Sequence, residues 1–306
     1  MQHNLIVILG PTACGKTKLA AQLAYALKSV VISADSRQVY KRMNIGTGKD
    51  YHDYLVNNHP IPYYLIDIIE PGEQYNLHQF RTDFYALFNQ LQTQNITPIL
   101  CGGTGLYIDS VLRNLTYAGV PNNYALRTEI SNKTHVELVV YFNKMPQTNF
   151  TNKADLSTQK RTIRAIEINH YLINNNFKTS IEPIIKPIII GLDIDKEIRK
   201  ERITNRLNYR LQNGLIEEVK NLLNEGITHP QLQYYGLEYK FVSQHLLGLM
   251  SEDALQELLN IAIHQFSKRQ MTYFRKMEKD GQVINWIDAT QDTAQQLMQV
   301  LNILHD

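Results

Sequence analysis

A glycine-rich segment near the start of the chain has the residue types and spacing of a phosphate-binding loop. A glycine, four spacers, a second glycine, a lysine and a hydroxyl residue follow one another in Gly10-Pro11-Thr12-Ala13-Cys14-Gly15-Lys16-Thr17. Such glycines let successive backbone amides face a di- or triphosphate, and a helix that begins at Lys16 adds its positive end. Lys16 supplies a point charge, and the Thr17 hydroxyl is placed to ligate Mg²⁺. The segment therefore predicts phosphate binding with Mg²⁺ as cofactor, without indicating which phosphate compound binds.

A carboxylate follows the next apolar run, in Ser33-Ala34-Asp35-Ser36-Arg37-Gln38. Strand ends in a parallel sheet face the ligand crevice, so Asp35 is expected to point toward the phosphate loop. A carboxylate there can orient a metal-bound water or accept a proton from a nucleophile. An Asp followed by Ser is also a common helix cap, and both interpretations stay open.

Taken alone, the loop also fits an ATP-binding enzyme such as a small-molecule kinase. A kinase needs an acidic metal partner on a later strand and a positioned acceptor. The clearest later strand runs into Cys101-Gly102-Gly103-Thr104-Gly105, which contains no acidic residue. This observation counts weakly against routine use of a nucleoside triphosphate.

Short apolar runs alternate with amphipathic stretches and predict the elements that position these residues. Strands are predicted at 5–9, 30–33, 63–66, 98–101, 186–192 and 283–286, and helices at 16–27, 77–92 and 252–279. This alternation is typical of the α/β class, here a P-loop-type core with a mostly parallel sheet flanked by helices. We predict a first part of the core at 1–118 and a small all-helical insertion domain at 119–185. The core is then completed, with long C-terminal helices, at 186–306.

Basic residues recur at helical spacing in the second half of the chain. Arg199, Arg202, Arg206 and Arg210 share one face of a predicted helix. In the helix at 252–279, the predicted apolar line is Leu255, Leu259, Ala262 and Phe266. Basic stripes are solvated faces or anion-binding surfaces, and the Tyr234-Tyr235 pair is typical of a core or of a stacking platform. Spacing alone leaves these alternatives open.

Composition excludes several classes of protein. The chain has 306 residues, a net charge of +2 and two cysteines, which excludes a disulfide framework and a four-cysteine zinc site. No signal-peptide pattern is present, and no window reaches the ~18 apolar residues of a membrane span. We expect a cytoplasmic protein with no membrane partner.

Four motifs in order make the sequence resemble the bacterial-type tRNA dimethylallyltransferases. They are the loop at 10–17, Asp-Ser-Arg-Gln-Val-Tyr at 35–40 with Ile-Gly-Thr-Gly-Lys at 45–49, Gly-Gly-Thr-Gly-Leu-Tyr at 102–107, and Lys-Arg-Thr-Ile-Arg-Ala-Ile-Glu at 160–167. Weaker matches follow at 201–219 and 268–276. The loop is widely shared among proteins, whereas the ordered set is specific.

The resemblance implies transfer of a dimethylallyl group from dimethylallyl diphosphate to the exocyclic amine of the adenosine 3′-adjacent to the anticodon in tRNA. The base is taken out of its stack to react. By resemblance, the loop and Arg206 hold the diphosphate with Mg²⁺, and Lys16 stabilises the charge of the leaving group. Asp35 aligns with the general base, and Thr104 with a hydroxyl near the reacting centre.

The resemblance also implies a tRNA surface and a partner, the anticodon stem-loop, bound by a chain that we expect to be monomeric. Contacts are expected from Asp35, Ser36, Arg37, Gln38, Thr104, Arg127, Lys160, Arg161, Thr162, Ile163 and Arg164. One segment, Tyr235-Gly236-Leu237-Glu238-Tyr239-Lys240, departs from the family pattern because Glu238 stands near an expected cation. The open alternatives are an ATP-dependent kinase and a non-catalytic tRNA-binding relative. Prenylation of a free adenylate would not need the basic clusters at 160–164 and 268–279.

Overall fold

The computed structural model describes residues 3–113, 115–177 and 182–305. The predicted domains also include residues 1, 2, 114, 178–181 and 306, which lie outside the described residues. The chain divides into two compact units, the first formed by Met1–Arg113 with Pro183–Asp306 and the second by Asn114–Glu182. The second unit begins and ends a few residues before the insertion expected at 119–185.

A six-stranded sheet forms the centre of the first unit, and all of its neighbouring strands run parallel. Its strand order is β5-β2-β6-β1-β7-β8, and β3 and β4 form a separate antiparallel pair. The predicted α/β class with a mostly parallel sheet is therefore confirmed. The strands are β1 Leu5–Leu9, β2 Val31–Ser33, β3 Leu55–Val56, β4 His59–Pro60, β5 Tyr63–Tyr64, β6 Ile99–Gly102, β7 Pro187–Asp193 and β8 Ile284–Asp288.

Helices cover both faces of the sheet, which explains why β1 is apolar at every position. Leu5, Val7 and Leu9 face one hydrophobic cluster, while Ile6 and Ile8 face the other. The helices of the chain are α1 Lys16–Leu27, α2 Leu77–Thr93, α3 Gly105–Leu112, α4 Tyr124–Ile130, α5 His135–Asn143, α6 Gln159–Asn174, α7 Lys196–Gln212, α8 Leu215–Asn224, α9 His229–Leu232, α10 Leu237–Leu246, α11 Glu252–Lys279 and α12 Thr293–His305.

Helix α11 has the predicted bounds, but its buried line differs from the prediction. Leu255 and Leu259 are buried as expected, and the line then continues through Ile263 and Phe274. Phe266 is exposed, because the buried line advances in steps of four residues from Leu255 through Leu259 to Ile263 and leaves Phe266 at its edge. The expected apolar line is therefore wrong beyond Leu259.

The second unit is helical throughout its described secondary structure. Helices α4, α5 and α6 enclose a core of apolar side chains that includes Ile130, Leu138, Phe142 and Ile166. Side-chain oxygens of Asn123, Thr134 and Thr158 accept backbone N–H groups at the starts of the three helices. Across the described parts of both units, no helix is long and apolar enough to cross a membrane.

Candidate active site

The phosphate loop joins the end of β1 to the start of α1. Gly15 adopts φ 87°, a conformation that favours glycine, and precedes the first residue of the helix. Lys16 Nζ lies over the loop, 2.5 Å from the Pro11 carbonyl oxygen to which it donates and 3.6 Å from Cys14 Sγ. The loop thus presents the lysine and the helix N-terminus on the same side, as a phosphate site requires.

Asp35 and Thr104 follow strands that are neighbours in the sheet, β2 and β6. The Thr104 hydroxyl accepts from the Ser36 backbone N–H at 3.2 Å, and the Thr104 N–H donates to the Ala34 carbonyl at 3.3 Å. Asp35 Oδ1 accepts the Arg37 N–H at 2.8 Å in a turn. A turn rather than a helix follows Asp35, and Thr104 stands at the N-cap position of α3 without a side-chain cap bond, so neither side chain caps a helix.

A cavity of about 560 Å³ in the first unit brings together most of the predicted residues of this unit, while Gly10, Pro11, Cys14 and Gly15 are not among its lining residues. Its wall combines the ends of β1, β2 and β6 with side chains of α7, α10 and α11, because parallel strands end at one edge of the sheet. The lining includes Thr12, Ala13, Lys16, Thr17, Asp35, Ser36, Arg37, Gln38, Thr104, Arg206, Arg210, Glu238, Phe266, Arg269, Gln270 and Tyr273. A carboxylate, several cations and apolar side chains therefore face one space.

Arg206 connects this space with a second cavity of about 360 Å³ beside the phosphate loop. The second cavity is lined by Lys16, Thr17, Asp50, Asp53 and Arg206, among others. Arg206 Nη2 lies 2.5 Å from Asp50 Oδ2. Burial, followed by the nearby Asp50 charge, raises the pKa of Asp53. The arginine predicted for the diphosphate thus shares a cavity with the loop.

Arg210, one turn after Arg206, forms a loose, half-buried pair with Glu238. The shortest distance is 3.7 Å from Arg210 Nη1 to Glu238 Oε1, and Arg210 Nη2 is buried with no hydrogen-bond partner among the described residues. Burial lowers the pKa of Arg210 to about 10, with a further contribution from Arg206, and burial raises the pKa of Glu238. Glu238 therefore places a negative charge beside Arg210. The sequence shows only that an acidic residue stands near a position where the family has a cation, and it does not predict this pair.

Glycine at position 48 lets both arginines approach the backbone. A Cβ there would lie 2.2 Å from Arg210 Nη2 and 2.7 Å from Arg206 Nη2, and Gly48 has φ 69°. The Gly48 carbonyl also accepts from Gln38 Nε2 at 3.1 Å. The motif at 45–49 thus supports the cavity wall.

Two aromatic residues next to this segment have different environments. Tyr235 is buried, and its hydroxyl accepts the Gly72 N–H at 2.5 Å. Tyr234 is exposed, and the Arg37 guanidinium lies 4.9 Å from the centre of its ring. Tyr235 is therefore a core residue, whereas Tyr234 offers a stacking surface beside Arg37.

The other predicted tRNA contacts belong to the second unit, where carboxylates hold several of the cations. Glu167 is fully buried; its Oε1 is 2.7 Å from Arg127 Nε and its Oε2 is 2.8 Å from Arg127 Nη2. Arg164 adds a contact of 3.3 Å to the same carboxylate. Thr162 is buried, and its hydroxyl donates within the unit, so it has no side-chain surface to offer RNA.

The remaining members of this set are more accessible. Lys160 is exposed, Ile163 is half-buried, and Arg161 is exposed and lies 3.0 Å from Asp155. Lys160 and Arg161 are thus the more accessible to a polyanion, whereas Arg127 and Arg164 are paired with Glu167.

Gln270 is not among the site residues that the sequence predicts. Its side chain hydrogen-bonds both to the phosphate loop and to the turn before α3. Its place in the motif at 268–276 was the only available signal, because a single glutamine in a helix carries no spacing pattern of its own.

A family model described as IPP transferase matches residues 38–277, and one described as isopentenyl transferase matches residues 3–67. A tRNA dimethylallyltransferase 2 of Phocaeicola vulgatus is 47% identical over 99% of this chain and 98% of its own. The crystal structure of the tRNA isopentenylpyrophosphate transferase from Bacillus halodurans is 27% identical, with a TM-score of 0.72, and the match covers 99% of this chain and 96% of that one. That of a tRNA isopentenylpyrophosphate transferase from Staphylococcus epidermidis is also 27% identical, with a TM-score of 0.70 and 98% of each chain covered.

The matches span nearly the full length of both partners, and they include the loop, the carboxylate turn and the cavity wall. The chain therefore belongs to the tRNA dimethylallyltransferase family.

Proposed function

We propose that this chain transfers a dimethylallyl group from dimethylallyl diphosphate to the exocyclic amine of an adenosine in the anticodon stem-loop of tRNA, on the 3′ side of the anticodon. The observation that carries the proposal is the single cavity lined by both the phosphate loop and Asp35. Relatives at up to 47% identity are tRNA dimethylallyltransferases by name. We further propose that it acts as a monomer in the cytoplasm, where tRNA is modified.

The reaction replaces one bond to the allylic carbon by another. The amine nitrogen bonds to the carbon, the carbon–oxygen bond to the diphosphate breaks, and the diphosphate leaves with the electron pair. Lys16, Arg206 and the loop amides stabilise the charge that develops on the leaving oxygen. Asp35 accepts the proton that the amine loses, and its turn bond to the Arg37 N–H holds one oxygen of the carboxylate in place.

Thr17, Asp50 and Asp53 beside the loop would hold a magnesium ion. Thr17 offers a hydroxyl, and Asp50 and Asp53 line the same cavity. No group of three or more His, Cys, Asp or Glu side chains within the described ranges could hold a metal by itself. This fits Mg²⁺, which is bound through few protein oxygens and through substrate phosphates. When bound, the ion would neutralise charge on the departing diphosphate.

The kinase alternative is less well supported. Strand β6 leads into Gly103 and Thr104 rather than into an acidic metal ligand, and the cavity also takes in apolar groups such as Phe266. A non-catalytic tRNA-binding role would not explain why the Asp35 carboxylate faces the same cavity as the phosphate loop.

The test is incubation with unmodified tRNA and dimethylallyl diphosphate, followed by mass analysis of the nucleosides. We expect one adenosine next to the anticodon to gain the mass of a dimethylallyl group in place of one hydrogen. A parallel reaction with ATP and no prenyl donor tests the kinase alternative. Hydrolysis of ATP with unmodified tRNA would contradict the proposal.

A further inference from the structure

Gln270 is a buried polar side chain in the middle of α11 that connects two segments of the active site. Its Oε1 accepts the backbone N–H of Thr12 at 2.9 Å, within the phosphate loop. Its Nε2 donates to the Gly103 carbonyl at 2.9 Å, in the turn that carries Thr104. One amide group thus joins the segment expected to hold the leaving group to the segment that contacts the Asp35 turn.

Only one orientation of the amide satisfies both partners, because the loop offers a donor and the turn offers an acceptor. A glutamine supplies a hydrogen-bond acceptor and a donor about two ångströms apart, whereas an apolar side chain, or one that only donates or only accepts, cannot make both bonds. The turn has also adapted to this contact. A Cβ on Gly103 would lie 2.3 Å from Gln270 Nε2, so a larger residue there would displace the amide.

The same helix contacts the next turn residue in a similar way. A Cβ on Gly105 would lie 2.4 Å from the Tyr273 ring, and the Tyr273 hydroxyl lies 3.2 Å from Asp109 Oδ2. Helix α11 is therefore seated directly against the start of α3. The position of Thr104, and through its bond to Ser36 that of the Asp35 turn, depends on this contact.

We propose that Gln270 is a positioning residue that sets the spacing between the diphosphate loop and the Thr104–Asp35 side of the cavity. It acts through Thr12 and Gly103 and does not touch the reacting atoms. The inference rests on the proposed function, since the two sides are the places of the leaving group and of the attacking amine. Misplacement of reacting groups by about 1 Å can cost about 10²-fold in rate, so the loss of one bridge can matter without unfolding the protein.

The first test compares Gln270→Met with Gln265→Met on the same helix, where Gln265 is exposed. Both variants are assayed as the full chain with anticodon stem-loop RNA and dimethylallyl diphosphate at saturation. We expect Gln270→Met to lower the single-turnover rate about 10- to 100-fold and Gln265→Met to leave it unchanged. Thermal melts show whether each variant is folded at the assay temperature.

The second test, Gln270→Glu, separates positioning from a general loss of stability. An ionised carboxylate keeps the bond from Thr12 but faces the Gly103 carbonyl without a proton to donate, whereas its protonated form restores both bonds. We expect the rate of Gln270→Glu relative to the wild type to rise as the pH falls from about 8.5 to about 6. The same ratio for Gln270→Met stays flat, because methionine does not titrate.

Parallel pH profiles for Gln270→Glu and the wild type, with both proteins folded, would overturn the inference. So would a Gln270→Met variant that reacts at the wild-type rate. Binding of inorganic pyrophosphate with Mg²⁺, measured by calorimetry without RNA, keeps the test independent of the proposed function. A wild-type chain that binds pyrophosphate but leaves tRNA unmodified refutes the proposed function alone, and Gln270→Met would still be expected to bind pyrophosphate more weakly. Equal affinity of the wild type and Gln270→Met for pyrophosphate would show that Gln270 does not position the phosphate loop.

Discussion

Both units contain ion pairs between arginines and carboxylates, and the two sets differ in how completely the charges are paired. In the second unit, Arg127 and Arg164 converge on the buried Glu167, whose Oε1 also accepts the Asn123 N–H at 2.8 Å. In the first unit, Arg206 and Arg210 converge on the backbone at Gly48 beside a cavity; Arg206 lies 2.5 Å from an Asp50 carboxylate oxygen, whereas the distance from Arg210 to Glu238 is 3.7 Å.

The difference indicates which cations are available for a ligand. In the second unit two arginines share one buried carboxylate that accepts several short bonds, whereas at the cavity Arg206 has a close carboxylate and Arg210 does not. Like charges placed together at a cavity are costly unless an anion joins them, and the lowered pKa of Arg210 reflects burial and then the neighbouring Arg206. We therefore expect substitutions in the first unit to change chemistry and donor binding, and substitutions around Glu167 to change stability.

The largest effect is expected for Asp35→Ala. Loss of a general base typically costs about 10²- to 10⁴-fold, so turnover should fall at least ~10²-fold while affinity for pyrophosphate with Mg²⁺ stays nearly unchanged. Single-turnover kinetics and calorimetry measure the two quantities. Asp253→Asn, an exposed carboxylate in the first turn of α11, is the matched control. A wild-type rate in Asp35→Ala would remove this carboxylate from the mechanism.

The second effect is on stability and concerns Glu167→Gln. Neutralising this carboxylate weakens charge-assisted bonds to two arginines, and we expect a loss of about 2 kcal/mol in the free energy of unfolding. The arginine side chains are 39% and 29% exposed, so water limits the cost of leaving them unpaired. Asp155→Asn, which weakens the exposed pair with Arg161, should cost at most about 1 kcal/mol. Equal losses would show that burial of Glu167 does not matter.

The pH dependence of this second effect has a defined sign. Burial acts to raise the pKa of Glu167, but the hydrogen bonds from Arg127 and Asn123 together with the charges of the two arginines outweigh burial and hold the pKa below its ordinary value of 4.5. The stabilisation is therefore present above pH 4.5 and is lost as the pH falls through the folded-state pKa. Denaturant titrations should show the gap between the wild type and Glu167→Gln closing below pH 4.5.

The third effect compares arginines of the two units directly. Arg206→Gln removes a guanidinium from the wall shared by the two cavities and should weaken pyrophosphate binding roughly 10-fold, on the scale of a charge-assisted bond. Arg127→Gln should leave pyrophosphate affinity unchanged and lower the free energy of unfolding instead. Calorimetry and thermal melts on both variants separate these outcomes. Weaker pyrophosphate binding in Arg127→Gln would contradict the division between the units.

The fold was predictable from sequence where local signals are strong. Strand β1 is a continuous apolar run, and α1 and α11 have clear starts, so their bounds agree with the prediction. The β3–β4 pair was not predicted, because each strand has two residues and only the Asn57-Asn58 turn marks it, with φ of 49° and 61°.

The candidate site was predictable in its motifs but not in its contacts between distant segments. The loop and Asp35 have spacing and residue types that point to chemistry. Gln270 lies 258 residues from Thr12 and 167 residues from Gly103 along the chain, and the Arg210–Glu238 pair joins two helices. Such contacts depend on how helices pack on the sheet, which a single sequence does not encode as a local pattern.

The smallest effect is expected at Lys160, a cation of the second unit that pairs with no carboxylate in the part of the chain that the structure describes. Lys160 is exposed on α6, close in sequence to the buried Thr162. If Lys160 contacts a tRNA phosphate, Lys160→Gln should raise the KM for tRNA a few-fold and lower the slope of log affinity against log salt by about 0.7 to 0.9. The maximal rate should not change, because a phosphate contact positions the RNA without taking part in the chemistry. Exposed Lys144, in the same unit but outside the motif at 160–167, provides the control Lys144→Gln. An unchanged slope of log affinity against log salt in Lys160→Gln, or the same change in Lys160→Gln and Lys144→Gln, would contradict a phosphate contact by Lys160. The basic motif at 160–167 would then contribute to the stability of the second unit rather than to RNA binding.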